Sequence, residues 1–117
     1  MSTGPASDPL TLPLVLASQS AARASLLRQA GVRFEVVPAA VDEAAVKAAL
    51  ASESAPPRDV ADTLAELKAM RGASRLPDRL VLGADQVLVC QGRIHDKPVD
   101  LADARSQLQI LRGHTHE

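Results

Sequence analysis

Two serines and an arginine stand where an apolar strand gives way to a helix. The apolar run Leu14–Ala17 is followed by Ser18, Ser20 and Arg23. The first turn of a helix leaves backbone N–H groups without acceptors, and the helix dipole is positive there. Hydroxyl donors and a guanidinium at this place suit an anion, most readily a phosphate. A simpler interpretation also fits, in which Ser20 is an ordinary N-cap and Arg23 is a solvated charge.

A carboxylate interrupts the strongest apolar run of the chain. Asp85 follows Gly83 within the run Leu80–Cys90, and the polar Gln86 comes next. A buried carboxylate needs a counter-charge or a cation, so Asp85 is a candidate metal ligand. The alternative is a solvated position at a strand end or bulge. Gln86 could hydrogen-bond a base edge or a ligand hydroxyl, and it could equally lie at the surface.

A second acidic pair and two lysines complete the set of candidates. Asp42 and Glu43 stand at a predicted helix start, and a carboxylate from each region could hold Mg²⁺ against phosphate oxygens. The helix dipole alone would also explain acidic residues there. Lys68 and Lys97 could supply point charges to a triphosphate, or they could be solvated lysines of the usual kind.

The histidines and the cysteine do not suggest a metal site or a thiol nucleophile. His114 and His116 lie in the terminal tail, and His95 offers no third ligand at suitable spacing. Cys90, the single cysteine, sits in an apolar run, where a buried, inert thiol is expected. One cysteine allows no disulfide within the chain, which fits a reducing compartment.

The composition limits the function without identifying it. The 117 residues fit one domain, and a net charge of −1 offers no broad field for nucleic acid or an anionic membrane. Phe34 is the only aromatic residue, which argues against a base-stacking platform. Residues 1–11 are expected to form a disordered leader rather than a secretory signal, and no apolar run could span a bilayer. We therefore expect a cytoplasmic protein with no nucleic-acid or membrane partner; a homodimer stays open.

Strand and helix patterns alternate along the chain. Apolar runs predict strands over Leu12–Ala17, Phe34–Val37 and Leu80–Cys90, with a turn at residues 91–93 leading into a hairpin at Ile94. Spacing and capping residues predict helices over Ser20–Ala30, Asp42–Ser52, Asp59–Ser74 and Asp100–Leu111. Residues 114–117 look like the opening of a further strand. The alternation predicts an α/β layered fold.

Six short motifs follow one another at fitting separations. They are Ala17-Ser18-Gln19-Ser20 with Arg23 and Leu26-Leu27, Val41-Asp42-Glu43, Leu64-Ala65 with Lys68-Ala69, Gly83-Ala84-Asp85-Gln86-Val87, Asp96-Lys97-Pro98, and Leu111-Arg112-Gly113-His114-Thr115-His116. Each motif is weak alone, but the series resembles the Maf (septum formation protein) family of nucleoside triphosphate pyrophosphatases. The resemblance runs from about Leu14 to the end of the chain.

The resemblance implies a fold and an activity. The fold is a layered mixed sheet flanked by helices, of the Maf and ITPase-like kind. The activity is hydrolysis of a nucleoside triphosphate between its α- and β-phosphates, giving the monophosphate and pyrophosphate with Mg²⁺ or Mn²⁺ as cofactor. Such chemistry depends mostly on positioning and electrostatics and needs no protein nucleophile.

The resemblance also implies a role for each motif residue. These roles are phosphate binding for Ser18, Ser20 and Arg23; metal binding for Glu43 and Asp85; water activation for Asp85; and charge neutralisation for Lys68 and Lys97.

The sequence departs from the usual family pattern in three motifs. Ala21 and Ala22 replace a Pro-Arg pair, which removes one phosphate-binding arginine. Gln86 replaces a threonine, a feature that resembles the branch associated with 7-methyl-GTP rather than the branch that prefers dTTP and UTP. Asp96 replaces the glycine before Lys97, and this places an additional negative charge near the phosphates.

A fourth departure concerns length. The sequence ends inside the family's Gly-x-Thr-His motif, so we expect residues 12–117 to be the N-terminal portion of a truncated Maf-like domain. Without the later strands and motifs, sheet edges and part of the apolar core would be uncovered. Besides an active enzyme, the alternatives are an inactive nucleotide-binding fragment and a regulatory module of cell division.

Overall fold

The structure, a computed structural model, describes residues 12–117. The predicted leader, residues 1–11, lies outside the described residues. Strands and helices alternate in the described part. In chain order they are β1 (Leu14–Ala17), α1 (Ala21–Gln29), β2 (Phe34–Val36), α2 (Glu43–Ser52), α3 (Pro57–Arg75), β3 (Val81–Gly83), β4 (Leu88–Cys90), β5 (Arg93–His95) and α4 (Leu101–Leu111).

A parallel sheet with β1 at its centre forms the core. Its strand order is β2-β1-β3, and both neighbours of β1 run parallel to it. Val15, Leu16 and Ala17 are completely or almost completely buried, because a central parallel strand is covered on both faces. The predicted α/β fold with a helix-flanked sheet is confirmed. A separate antiparallel pair, β4 and β5, lies beyond it along the chain.

Capping side chains set the starts of three helices. Ser20, Asp42 and Asp100 each accept a hydrogen bond from a backbone N–H of the following turn, at the starts of α1, α2 and α4. The remaining helix, α3, begins at Pro57, two residues before the predicted start. Proline is favoured at the first helical position because it has no N–H to leave unpaired. The other helix limits agree with the predicted ones within a residue or two.

Helix α3 approaches the sheet unusually closely. A Cβ added to Gly83 would meet the backbone oxygen of Ala65 and would lie 2.7 Å from the backbone nitrogen of Ala69. A Cβ added to the helical Gly72 would lie 2.9 Å from a methyl group of Val81. Gly83 of β3 faces helix α3, and Gly72 of α3 faces the strands. Because neither residue has a Cβ, the backbones of the helix and the strands can lie almost in contact. Leu64, fully buried, fills the same interface.

The prediction of one continuous strand over Leu80–Cys90 is wrong. The run is divided into β3 and β4, which belong to different sheets and are separated by residues 84–87. Asp85 lies in this connection rather than inside a strand. The apolar run concealed the break because the half-buried connection still contains the apolar residues Ala84 and Val87, so partial burial rather than extension explains them.

The predicted hairpin is confirmed. Strands β4 and β5 pair antiparallel with Cys90 opposite Arg93, so the loop between them has two residues. Gln91 and Gly92 have φ angles of 53° and 75°, the left-handed pair that matches a two-residue hairpin to the strand twist. The end of the chain adds to the other edge of β4, since Val89 and Glu117 exchange backbone hydrogen bonds of 2.8 and 3.0 Å.

Apolar side chains are exposed on the outer elements. Leu101 at the start of α4 is 89 % exposed, and Leu108, on the same helix, is also exposed. On β3, at one edge of the parallel sheet, Leu82 is exposed. The expectation that part of the apolar surface is uncovered is therefore confirmed for the described residues. No helix among residues 12–117 has the length and apolar character needed to cross a membrane.

We expect Gly83→Ala to destabilise the protein by about 3 kcal/mol, because its methyl group meets helix backbone that cannot rotate away. Gly72→Ala is the matched control. Its methyl group meets side-chain atoms instead, and alanine regains roughly 1 kcal/mol of helix propensity. Urea unfolding followed by circular dichroism measures both. Equal stabilities of Gly83→Ala and the wild type would contradict the close packing of α3 on β3.

Candidate active site

The turn between β1 and α1 holds the first group of predicted residues together. The hydroxyl oxygen of Ser18 accepts hydrogen bonds from the backbone N–H of Ser20 at 3.1 Å and from the guanidinium of Arg23 at 3.2 Å. The hydroxyl of Ser20 accepts from the backbone N–H of Arg23 at 3.2 Å. Ser20 is thus the N-cap that the simpler interpretation expected, whereas Arg23 is bound to a buried serine rather than freely solvated.

This turn has donors to offer an anion. Both serine oxygens act as acceptors within the turn, so each hydroxyl proton is available to a further oxygen. The N–H groups of Ala21 and Ala22 belong to the first turn of α1, which has no intrahelical acceptors. Arg23 uses one of its five N–H groups on Ser18. Neutral donors, a helix N-terminus and a guanidinium therefore lie within one short segment, as phosphate binding requires.

Asp85 is buried and paired. Its side chain is only 8 % exposed, and Oδ1 accepts a hydrogen bond at 3.0 Å from Lys68 Nζ on α3. The solvated alternative for Asp85 is therefore wrong. Lys68 is not a solvated lysine either, since its side chain is 12 % exposed. Its position follows from the close packing of α3, which carries Lys68 over the end of β3.

Glu43 joins the same cluster from α2. Its Oε1 lies 3.1 Å from Lys68 Nζ, so one ammonium bridges two carboxylates from separate elements. The hydrogen bond from Lys68 lowers the pKa of Glu43, with a smaller opposing effect of burial. The interaction of Glu43 with Lys68 therefore stabilises the folded protein. Its contribution is complete at pH values above the ordinary glutamate pKa and is lost as the pH falls through the lowered pKa. The predicted meeting of two acidic regions is observed; we call Glu43, Lys68 and Asp85 the bridged cluster.

We call the turn that carries Ser18, Ser20 and Arg23 the serine turn. The serine turn and the bridged cluster lie at the same edge of the parallel sheet. Ala17, the last residue of β1, is in register with Gly83, the last residue of β3. Ser18 therefore leaves the sheet beside the segment that carries Asp85. The carboxyl ends of parallel strands are where α/β folds bind ligands. Among residues 12–117 no ion pair or hydrogen bond joins the two groups directly.

Two predicted residues are exposed and make no such contacts. Gln86 and Lys97 are both exposed, and neither forms a hydrogen bond or ion pair with any of residues 12–117. Lys97 directly follows β5 and Asp96, so it belongs to the hairpin side of the site. The structure therefore groups six of the eight predicted site residues, three in the turn after β1 and three around Lys68, and it leaves Gln86 and Lys97 at the surface.

An ion pair beside the bridged cluster was not expected from the sequence. Lys47 Nζ lies 2.8 Å from Asp96 Oδ1. The hydrogen bond from Asp96 raises the pKa of Lys47, opposed by burial, with smaller contributions from the charges of Asp96, Glu43 and Asp85. Lys47 could have been found as the residue one helical turn after Glu43. Its partner is 49 positions away, and no local pattern indicates such a pair.

A cavity of about 340 Å³ adjoins this ion pair. Side chains from α2, the start of α3 and the hairpin line it: Lys47, Ala51, Ala55, Pro57, Val60, Gly92, Ile94 and Asp96. Its walls are mostly apolar, and the charges of Lys47 and Asp96 are its only ionised groups. None of the residues singled out as phosphate or metal ligands lines it.

The single cysteine has the environment that the sequence predicts. Cys90 is buried with 1 % exposure, as predicted for an inert thiol. Within the described part of the chain, no group of three or more His, Cys, Asp or Glu side chains is arranged to hold a metal. A metal ion here would therefore draw on fewer than three such side chains.

Comparison with known proteins gives one consistent family. The model of the family described as Maf-like protein matches residues 13–117. A nucleoside triphosphate pyrophosphatase of Paramagnetospirillum magneticum is 54 % identical over 102 residues, covering 87 % of this chain and 53 % of that protein. One of Caulobacter vibrioides is 51 % identical over 105 residues, covering 90 % and 52 %. Nucleoside triphosphate pyrophosphatase 1 of Jannaschia sp. is 50 % identical over 103 residues, covering 88 % and 52 %. The match thus spans about half the length of these relatives.

We expect Lys68→Met to lower the free energy of unfolding by about 2 kcal/mol at neutral pH, because it leaves the buried Asp85 carboxylate without its counter-charge. Lys47→Met is the matched control. It breaks a more exposed ion pair and should cost less than about 1 kcal/mol.

The pH dependence of this loss separates charge from packing. As the pH falls through the lowered pKa of Glu43, this carboxylate becomes protonated, and the difference in stability between Lys68→Met and the wild type should shrink. Urea unfolding at a series of pH values measures it. A loss that is constant with pH would mean that the Lys68 side chain acts by packing alone.

Proposed function

Since this chain belongs to the Maf family, we propose that it binds a nucleoside triphosphate and hydrolyses it between the α- and β-phosphates, releasing the monophosphate and pyrophosphate. One observation carries the proposal. The bridged cluster and the serine turn, which come from separate parts of the sequence, lie at the same edge of one parallel sheet. The printed names of the relatives support the same substrate class.

The serine turn is the proposed phosphate-binding element. Ser18 and Ser20 would donate their free hydroxyl protons to phosphate oxygens, and the positive end of α1 would face the same oxygens. Arg23 would add a charged donor whose position is fixed by Ser18. The loss of one family arginine at Ala22 makes Arg23 the only arginine of this turn, so its removal should be costly.

The bridged cluster is the proposed metal-binding element. Magnesium in phosphate-processing sites is commonly held by one or two carboxylates, with substrate oxygens and waters completing the shell. Glu43 and Asp85 fit this donor set, because both already converge on a single cation, the Lys68 ammonium. A bound Mg²⁺ or Mn²⁺ would neutralise phosphate charge and lower the pKa of a bound water.

The protein side chains have complementary tasks in the proposed reaction. Asp85, held in a largely dry position by Lys68, would accept a proton from the attacking water. Lys68 would stand between the carboxylates and the triphosphate, where its charge favours the more negative transition state. Lys97 would add a second ammonium from the hairpin side. No covalent intermediate with the protein is needed.

Gln86 bears on which base is preferred. We propose 7-methyl-GTP or another modified nucleotide as the substrate, because Gln86 stands where the other branch of the family has a threonine. Its amide is exposed and has no partner among residues 12–117, so both its donor and acceptor groups are available to a ligand. Comparing 7-methyl-GTP with UTP and dTTP tests this finer proposal.

We expect pyrophosphate release when the protein is incubated with Mg²⁺ or Mn²⁺ and a panel containing 7-methyl-GTP, UTP and dTTP. Asp85→Asn should reduce the rate at least about 100-fold, since it removes the base without changing side-chain shape. Glu35→Gln is the control. It removes an exposed carboxylate from an ion pair with Arg79 and should retain the wild-type rate.

Absence of pyrophosphate release from protein that is folded by circular dichroism would overturn hydrolysis by this chain. If inorganic tripolyphosphate still bound in calorimetry, the remaining function would be nucleotide binding without turnover. If release persisted in Asp85→Asn, the residue would have no role as the base.

Metal binding can be tested without turnover. In the wild type a divalent cation must compete with the Lys68 ammonium for the same carboxylates, whereas in Lys68→Met they are free. We therefore expect Mn²⁺ to raise the Tm of Lys68→Met more than that of the wild type, by mass action on the folded state. Adding Asp85→Asn to Lys68→Met should abolish the rise. An equal rise in wild type and Lys68→Met would place the cation elsewhere.

A further inference from the structure

The segment between β5 and α4, residues 96–99 and hereafter the strap, is bound to α4 at both of its ends. The backbone carbonyl of Asp96 accepts a hydrogen bond at 2.9 Å from Gln107 Nε2. The backbone N–H of Val99 donates at 3.0 Å to Asp103 Oδ2. The strap therefore has fixed attachments although it contains no regular secondary structure.

The ion pair of Lys47 with Asp96 attaches the strap to α2 as well. It joins residues 49 positions apart at 2.8 Å. Lys47 lies one helical turn after Glu43, and residues four apart share a helix face. The attachment point therefore stands beside Glu43 of the bridged cluster.

The strap carries an ammonium that no group within residues 12–117 neutralises. Lys97 forms no ion pair with any carboxylate of residues 12–117. The Cα atom of Lys97 is about 3.8 Å from that of Asp96, so the ion pair that holds Asp96 also restricts Lys97. The acidic residue next to it does not cancel its charge, because Asp96 is itself neutralised by Lys47.

We propose that Lys47 and Asp96 are positioning residues for triphosphate binding: their ion pair holds the strap against α2, so that Lys97 is presented to the phosphates beside Glu43 and Asp85. The assignment rests on the proposed function. It gives a role to the aspartate that replaces the family's glycine. At this position Asp96, which is bound to Lys47, replaces a flexible glycine. The negative charge of Asp96 is neutralised by Lys47.

The first test measures the strap itself and needs no ligand. Nitrogen-15 relaxation of the Lys97 amide should give an order parameter of about 0.85 in the wild type and below about 0.6 in Lys47→Met and in Asp96→Asn. The exchanged pair, Lys47→Asp with Asp96→Lys, should restore order. Glu35→Gln, which removes a somewhat less exposed ion pair elsewhere, should leave the strap unchanged.

The second test asks whether Lys47 acts through Lys97. Inorganic tripolyphosphate with Mg²⁺ is the probe, and calorimetry gives its Kd. Lys47→Met should weaken binding roughly fivefold, and Lys97→Met at least as much. In a Lys97→Met background, Lys47→Met should have almost no further effect, since the residue it positions is gone. Additive losses would show that Lys47 contacts the phosphates itself and would overturn the positioning role.

The two tests separate failure of this proposal from failure of the proposed function. If the wild type does not bind tripolyphosphate, the proposed function fails, and the positioning of Lys97 for phosphates fails with it. If binding is present but the strap stays rigid in both Lys47→Met and Asp96→Asn, only the positioning proposal is overturned. A mobile strap in both variants with non-additive losses supports it.

Discussion

The near contact between α3 and the parallel sheet is the constraint on which the rest of the structure depends. Gly83 and Gly72 remove the two side chains that would hold the helix and strands apart. At this short distance Lys68 reaches the end of β3 and meets Asp85, and Glu43 reaches the same ammonium from α2. A larger helix–sheet separation would leave a buried carboxylate without its counter-charge, which is a costly state. Packing and site geometry therefore have one physical cause.

Local chemistry made much of the fold and part of the site predictable. Ser20, Asp42 and Asp100 are capping residues whose types identify helix starts directly. The order of elements, the hairpin and the α/β class followed from spacing. The break between β3 and β4 was not predictable, because a buried connection and a buried strand both select apolar residues. The pairing of Lys47 with Asp96 was equally hidden, since it depends on how the hairpin docks against α2.

The bridged cluster has two properties that suit a site for a charged ligand. Its charges are paired without a ligand, because an internal ammonium satisfies both carboxylates, and in the proposed reaction a divalent cation would take the place of that ammonium. The serine turn differs from it, because the hydroxyl groups of Ser18 and Ser20 can still donate hydrogen bonds to a ligand. Together they form adjoining regions for a cation and an anion, as a metal–triphosphate complex requires. The family match and the geometry both support the proposed substrate class.

The most direct measurement is a crystal structure of the protein with Mn²⁺ and a nucleoside triphosphate analogue that has a methylene group between its α- and β-phosphorus atoms. Anomalous scattering locates the Mn²⁺ ion without ambiguity. The account predicts Mn²⁺ on the carboxylates of Glu43 and Asp85, phosphate oxygens on Ser18, Ser20 and Arg23, and Lys68 withdrawn from at least one carboxylate. Phosphates bound elsewhere, with Lys68 still bridging Glu43 and Asp85, would contradict it.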